Sequence, residues 1–179
     1  MRFTMKVLAF LSVGIFFIFL ILNIAFPREW LFSLAITFAT ISYHFWMRLI
    51  VGYIVNKRMD NKADYTKKWF QLRPAESHFY EMIKVKKWKG KMPSYDPELF
   101  SQKKHTWDEI AQAMCQAELV HEVIVILSFV PIIATVFFGA FFVFLWTSIA
   151  AALFDSLFVI MQRYNRPRVI KMAEKRRQK

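Results

Sequence analysis

Three groups of residues in this chain of 179 have types and spacings that could do chemistry. The first is Glu118, His121 and Glu122. Residues three and four apart share a helix face, so Glu118 can touch both of the others. The second is the run Gln162-Arg163-Tyr164-Asn165-Arg166-Pro167-Arg168, which mixes hydrogen-bonding groups with arginines suited to a bidentate grip on anions. The third is Lys84-Val-Lys-Lys-Trp-Lys-Gly-Lys91, five lysines in eight residues around Trp88. Plainer readings stand beside each. Glu118 and His121 could cap and hydrate a helix end. The arginines and lysines could anchor the chain to anionic lipid, at about 1 kcal/mol for each cation near the surface. The E-x-x-H spacing also suits half of a carboxylate-bridged metal site, but such bundles use two such pairs and this chain has one. No bound metal is expected.

Single residues add to these groups. Asp155 stands seven positions before Gln162, two helical turns away on the same face. An ionisable group inside an apolar stretch normally faces a partner or a wet cavity, so structural hydrogen bonding and a place in the site both remain open for it. His44 and Arg48 lie four apart in another apolar stretch. Arg48 is expected to snorkel to headgroups, and Tyr43 and His44 could pack between helices. The one cysteine, Cys115, is expected to be an inert thiol.

The elements that carry these residues follow from composition. The chain is 56% hydrophobic, with 20 Phe and only 4 Gly, and 25 Lys and Arg against 13 Asp and Glu leave a net charge of +12. One cysteine excludes a disulfide scaffold. The apolar clustering excludes a disordered chain, and the basic charge alone does not make a nucleic-acid binder. Val7 to Phe26 holds no charge over 20 positions, enough helix to cross a hydrocarbon core of about 30 Å. A second apolar block runs from Trp30 to Val55. A third stretch, Val123 to Met161, has 39 residues, too long for one span. It divides if a bend falls at Phe138-Gly139-Ala140 and the first helix begins upstream, near Ala113. The fold expected is an all-α integral membrane protein with four transmembrane helices, about 7–26, 30–55, 116–138 and 140–161. Residues 56–115, with 13 Lys/Arg and 8 Asp/Glu, form a long basic segment of loops and interfacial helices between spans two and three. Residues 162–179 form a basic tail with eight Lys/Arg and one acid, and Pro167 is expected to end the last helix.

Cytoplasmic segments near spans are enriched in Lys and Arg. Arg2 and Lys6, the 56–115 segment and the tail would then share the cytoplasmic side, with two spans between each pair and both termini inside. The third and fourth helices become antiparallel neighbours. That places Glu118, His121 and Glu122 beside Gln162 to Arg168 at one membrane face.

Three pieces of the chain resemble the glycosyl-4,4'-diaponeurosporenoate acyltransferases of staphyloxanthin-type carotenoid synthesis. They are Phe79-Tyr80 with Val85 to Pro93, Ala117-Glu118-Leu119-Val120-His121, and Gln162 to Arg168, of which QRYNRPR is the most specific. The resemblance covers roughly residues 76–168. Two positions differ from the family pattern: Asp155 stands where Asn is usual, and Glu122 where an aromatic commonly follows the histidine. The resemblance implies a bacterial cell-membrane enzyme that transfers a fatty acyl group to a sugar hydroxyl on a long apolar polyene.

On that footing His121 would be the general base and Glu118 the group that holds its imidazole. Asp155, Gln162, Tyr164 and Asn165 would serve substrate, the last three by hydrogen bonds to the sugar or oxyanion, and Arg163, Arg166, Arg168, Trp88 and Lys89 would hold the donor. The implied partners are membrane lipids, a fatty acyl thioester (acyl-CoA or acyl-carrier protein) as co-substrate rather than bound cofactor, and a glycosylated apolar acceptor. No nucleic acid is implied. The first span carries no motif, which leaves a homo-oligomer open. A non-catalytic subunit that presents a polyprenyl or glycolipid to a partner enzyme would use the same basic rim without proton transfer. A metal-dependent lipid desaturase or hydroxylase ranks last, as its four histidines are scattered at 44, 78, 105 and 121.

Overall fold

The structure is a computed structural model and describes residues 2–178. Among these the chain is all-helical: α1 (Arg2–Ala25), α2 (Glu29–Met59), α3 (Pro74–Met82), α4 (Val85–Trp88), α5 (Trp107–Leu127), α6 (Thr135–Phe138) and α7 (Phe141–Arg177), joined by short 3₁₀ turns. Four stretches are long and apolar enough to cross a membrane: Phe3–Ala25, Glu29–Met59, Trp107–Phe138 and Phe141–Arg177. The chain separates into two compact units.

The first unit comprises the residues up to Val51 together with Ile124–Phe154. Aromatic pairs pack it: Phe10 meets Trp46 edge-on at 5.2 Å, and Phe19 stacks on Phe38 at 5.7 Å. Where no water reaches, each backbone and hydroxyl group needs an internal partner. Most buried hydroxyls find theirs one turn back, Thr40 on the Ile36 carbonyl at 2.9 Å, Ser42 on Phe38 at 2.7 Å and Ser128 on Ile124 at 2.8 Å. Pro131 has no N–H and cannot donate to the carbonyl of Leu127, four residues earlier. The Tyr43 hydroxyl donates to it instead, at 2.9 Å. Arg48 donates to the backbone carbonyls of His44 (2.8 Å) and Ala151 (3.5 Å). The helix breaks between α6 and α7 at two residues of positive φ, Gly139 (65°) and Ala140 (43°). A glycine adopts this conformation without strain and leads the break.

The second unit comprises Gly52–Val123 and the residues from Asp155 onward. α2 ends through Asp60 and Asn61, both left-handed, a conformation these two residue types tolerate. The buried Gln116 side chain secures that end, accepting from the Asn61 N–H at 2.7 Å and donating to the Asn56 side chain at 3.1 Å. α3 starts with Pro74 at its first position and a Glu76 carboxylate that accepts from the Arg73 N–H at 2.9 Å.

α5 begins at Trp107, earlier than the Ala113 expected from hydropathy. A capping box starts it there: Glu109 accepts from the Thr106 N–H at 2.7 Å, and the Glu109 N–H donates back to the Thr106 hydroxyl at 3.3 Å. α7 runs through Pro167 to Arg177, so the expectation that Pro167 ends it is corrected. The proline removes the hydrogen bond to the Arg163 carbonyl, and side chains on both sides hold the helix in place. Upstream, Arg163 and Arg166 are tied into ion pairs. Downstream, Ala173 is buried and Arg177 pairs with Asp108 and donates to the Tyr65 hydroxyl at 3.0 Å.

Candidate active site

α5 and α7 run antiparallel in the second unit, as the contacts of Glu118 with Arg163 and of His121 with Asp155 require. Side chains on a helix lean toward its N-terminus. The long arginines of α7 can therefore reach back toward a carboxylate lying nearer the middle of the helix pair.

Glu118 is fully buried and bridges two arginines. Its Oε1 accepts from Arg163 Nε at 2.6 Å, and its Oε2 accepts from Arg166 Nη1. Arg163 also donates to the Glu76 carboxylate and, at 2.6 Å, to the Trp69 carbonyl, with Glu122 at 3.9 Å. Arg166, itself 1% exposed, donates to the Phe70 carbonyl and lies 5.2 Å from the Phe70 ring centre. The Trp69 indole donates to Glu122 at 3.0 Å. This buried ion network ties the 3₁₀ turn Lys68–Phe70 and helix α3 to α5 and α7.

Expectation and structure part over the imidazole. Glu118 is occupied by arginines, and the carboxylate on His121 is that of Asp155. His121 Nδ1 lies 2.8 Å from Asp155 Oδ1, the carboxylate 1% and the imidazole 23% exposed. The ring stacks on Phe158 at 4.5 Å and 7°. An aromatic floor and one carboxylate fix the ring plane, and a carboxylate on Nδ1 assigns the proton there, leaving Nε2 as the acceptor nitrogen. Among the described residues no group of three His, Cys, Asp or Glu side chains gathers as a metal site.

The other expected substrate groups divide between the two faces of the motif. Gln162 is buried with Arg166. Tyr164, Asn165 and Arg168 face the turn after α4, where Lys89 donates to the Asn165 side-chain Oδ1 and lies 4.8 Å from the Tyr164 ring centre. Tyr80 packs edge-on against Tyr164 at 6.4 Å; burial, and then the negative charge of Glu76, push its phenol above the usual value. Trp88 spends its indole N–H on the Ile83 carbonyl at 3.1 Å, which anchors α4 to its own approach. A cavity of about 300 Å³ opens beside Trp69 and Phe70, with Met59, Ala63 and Leu119 as apolar walls and Lys62, Asp64 and Lys67 at its polar side. Glu76 and the carbonyls of Trp69 and Phe70 had no signal in the sequence as partners of the arginines, because they lie in a segment without periodicity.

Comparison with protein families matches residues 66–175 to glycosyl-4,4'-diaponeurosporenoate acyltransferase. The chain belongs to this family. Every member of the ion network, the His121–Asp155 pair and the Lys89–Tyr164 face lies within the matched stretch. For this acyltransferase family the comparison is with a sequence pattern alone, since curated proteins and solved structures give no match to the chain.

Proposed function

We propose that this chain is a membrane O-acyltransferase that moves a fatty acyl group from a thioester, coenzyme A or carrier-protein bound, to a sugar hydroxyl of a glycosylated isoprenoid or related glycolipid. The observation that carries the reading is the 2.8 Å contact between His121 Nδ1 and a buried Asp155 carboxylate, on a ring with its other nitrogen available. Nε2 takes the proton from the acceptor hydroxyl as that oxygen attacks the thioester carbonyl. The carbon–sulfur bond then breaks, and the imidazolium returns the proton to the departing thiolate. Asp155 orients the ring and stabilises its protonated form, a role first expected of Glu118. Positioned acid–base catalysis of this kind is typically worth about 10²–10⁴-fold.

Glu118, with Arg163 and Arg166, serves as the frame that holds α5 and α7 in register. Gln162, Tyr164 and Asn165 are the candidates for hydrogen bonds to the sugar or to the developing oxyanion. The apolar tails of donor and acceptor lie among the helices, whose outward faces are rich in Phe, Ile and Leu. The site belongs on the cytoplasmic side of a bacterial cell membrane, with both termini on that side, because segments near spans that are rich in Lys and Arg favour the cytoplasmic face.

Mass spectrometry of lipids co-purifying with the wild type and with His121→Ala tests the assignment. An acylated glycolipid in the wild type, replaced by its unacylated acceptor in the variant, is the expected result. The same lipid bound unchanged by both proteins would overturn the general-base role and support a lipid-presenting subunit instead.

A further inference from the structure

The run Gln162 to Arg168 places its cations on two faces of α7. Arg163 and Arg166 are three apart and turn to carboxylates; Tyr164 and Arg168 are four apart and share a different face. On that second face Arg168 lies 5.1 Å from the Tyr164 ring centre and donates to its hydroxyl at 3.2 Å. Lys89, from the turn after α4, lies 4.8 Å from the same ring centre and donates to Asn165. Two cations therefore sit on one aromatic ring. Lys86 stands three residues before Lys89, about one helical turn away, and adds a third positive charge on the same side of that turn.

Among the described residues none of these three cations has a carboxylate partner. Arg163 and Arg166, on the other face, share three carboxylates. Partial burial, and then the charges of Arg168 and Lys86, hold the Lys89 ammonium below the usual lysine value. Gathered like charges repel, and an anion entering between them removes that repulsion while supplying acceptor oxygens. A planar guanidinium beside a flexible ammonium suits the several oxygens of a phosphate.

We propose that Lys89 and Arg168, gathered on the Tyr164 ring, form a phosphate-binding site, with Lys86 as a neighbouring charge. Its ligand is the phosphate of a soluble thioester donor or the phosphate of an anionic lipid headgroup. Only the first source rests on the acyl-transfer reading; the site itself does not.

The test uses full-length protein in phosphatidylcholine nanodiscs, with coenzyme A as probe and inorganic phosphate as competitor. Parallel discs contain phosphatidylglycerol, and retained lipid is counted by native mass spectrometry. Lys89→Gln and Arg168→Gln are each expected to weaken binding about tenfold, the scale of one charge-assisted hydrogen bond, and to flatten its dependence on salt. Arg168→Lys keeps the charge and is expected to restore most of the affinity, which guards against a variant that merely misfolds. Coenzyme A binding that depends on Lys89 and Arg168 identifies a soluble donor. Phosphatidylglycerol retention with the same dependence identifies a headgroup. Variants that bind both probes as the wild type does, or a wild type that binds neither, would overturn the site. His121→Ala should bind coenzyme A normally. A wild type that binds the probe but transfers no acyl group would defeat the acyl-transfer reading and leave this site standing.

Discussion

The two units handle buried polar groups in different ways. In the unit formed by the residues up to Val51 and Ile124–Phe154, the buried polar side chains among the described residues are five hydroxyls (Ser12, Thr40, Ser42, Ser128 and Ser148) and His44. Most of those hydroxyls spend themselves on a carbonyl of their own helix. In the other unit the buried polar side chains among the described residues are Gln116, Glu118, Asp155, Gln162 and Arg166, and Gln116, Glu118, Asp155 and Arg166 bond to other elements. A hydroxyl that bonds within its own turn positions nothing else. A charge bonded to a distant element sets the position of both. The unit with the charges is thus the one whose tertiary arrangement depends on specific pairs, and it is the one that holds the candidate chemistry.

The largest effect should come from removing the centre of that network. Glu118→Gln leaves Arg166 buried against a neutral partner, and breaking a buried pair on one side costs about 3–5 kcal/mol. Thermal unfolding in detergent at a fixed scan rate should show a large drop in midpoint. Replacing the group together, as Glu118→Leu with Arg163→Met and Arg166→Met, should recover most of the loss, because a well-packed apolar cluster can match a buried ion network. Equal damage from the single and triple variants would mean that the charges do more than hold the frame.

Next in size is Asp155→Leu, which removes the carboxylate beside His121 and fills its place with an apolar side chain of similar size. A loss of about 10²-fold in acyl transfer is expected, with little change in melting temperature, if the carboxylate serves the imidazolium. The two variants therefore separate within one unit: Glu118 acts on stability and Asp155 on rate. An Asp155→Leu protein that melts early but retains its turnover would reverse that assignment.

The sequence made the meeting of the two runs legible and left their pairing unread. Apolar length gave four long helical stretches, and the antiparallel order of the last two brings Glu118–Glu122 to Arg163–Arg166. Which carboxylate takes which cation is decided by side-chain reach and lean, and these are not encoded in spacing along one helix. By i, i+3 spacing Glu118 is the natural partner of His121, yet two guanidiniums claim it and Asp155 takes the imidazole. Glu76, Trp69 and Phe70 were invisible because the 56–115 segment has no hydrophobic period to orient it. The start of α5 was readable from Thr106 and Glu109, since a capping box needs only those two residues at that spacing.

The smaller effects belong to the apolar unit, and two substitutions there sharpen the contrast. Thr40→Val removes a buried hydroxyl whose acceptor, the Ile36 carbonyl, is also the acceptor of an ordinary helical N–H four residues on. Tyr43→Phe removes the hydroxyl that serves the Leu127 carbonyl, for which Pro131 has no N–H to offer. Leaving that carbonyl without its partner should cost about 1–3 kcal/mol. Losing the Thr40 hydroxyl should cost less than about 0.6 kcal/mol, the average worth of a polar pair between membrane helices. Both variants leave His121 and Asp155 untouched, so neither should change acyl transfer at temperatures well below unfolding. If Thr40→Val proves as damaging as Tyr43→Phe, the hydroxyls of this unit fix tertiary position after all, and the difference drawn between the two units fails.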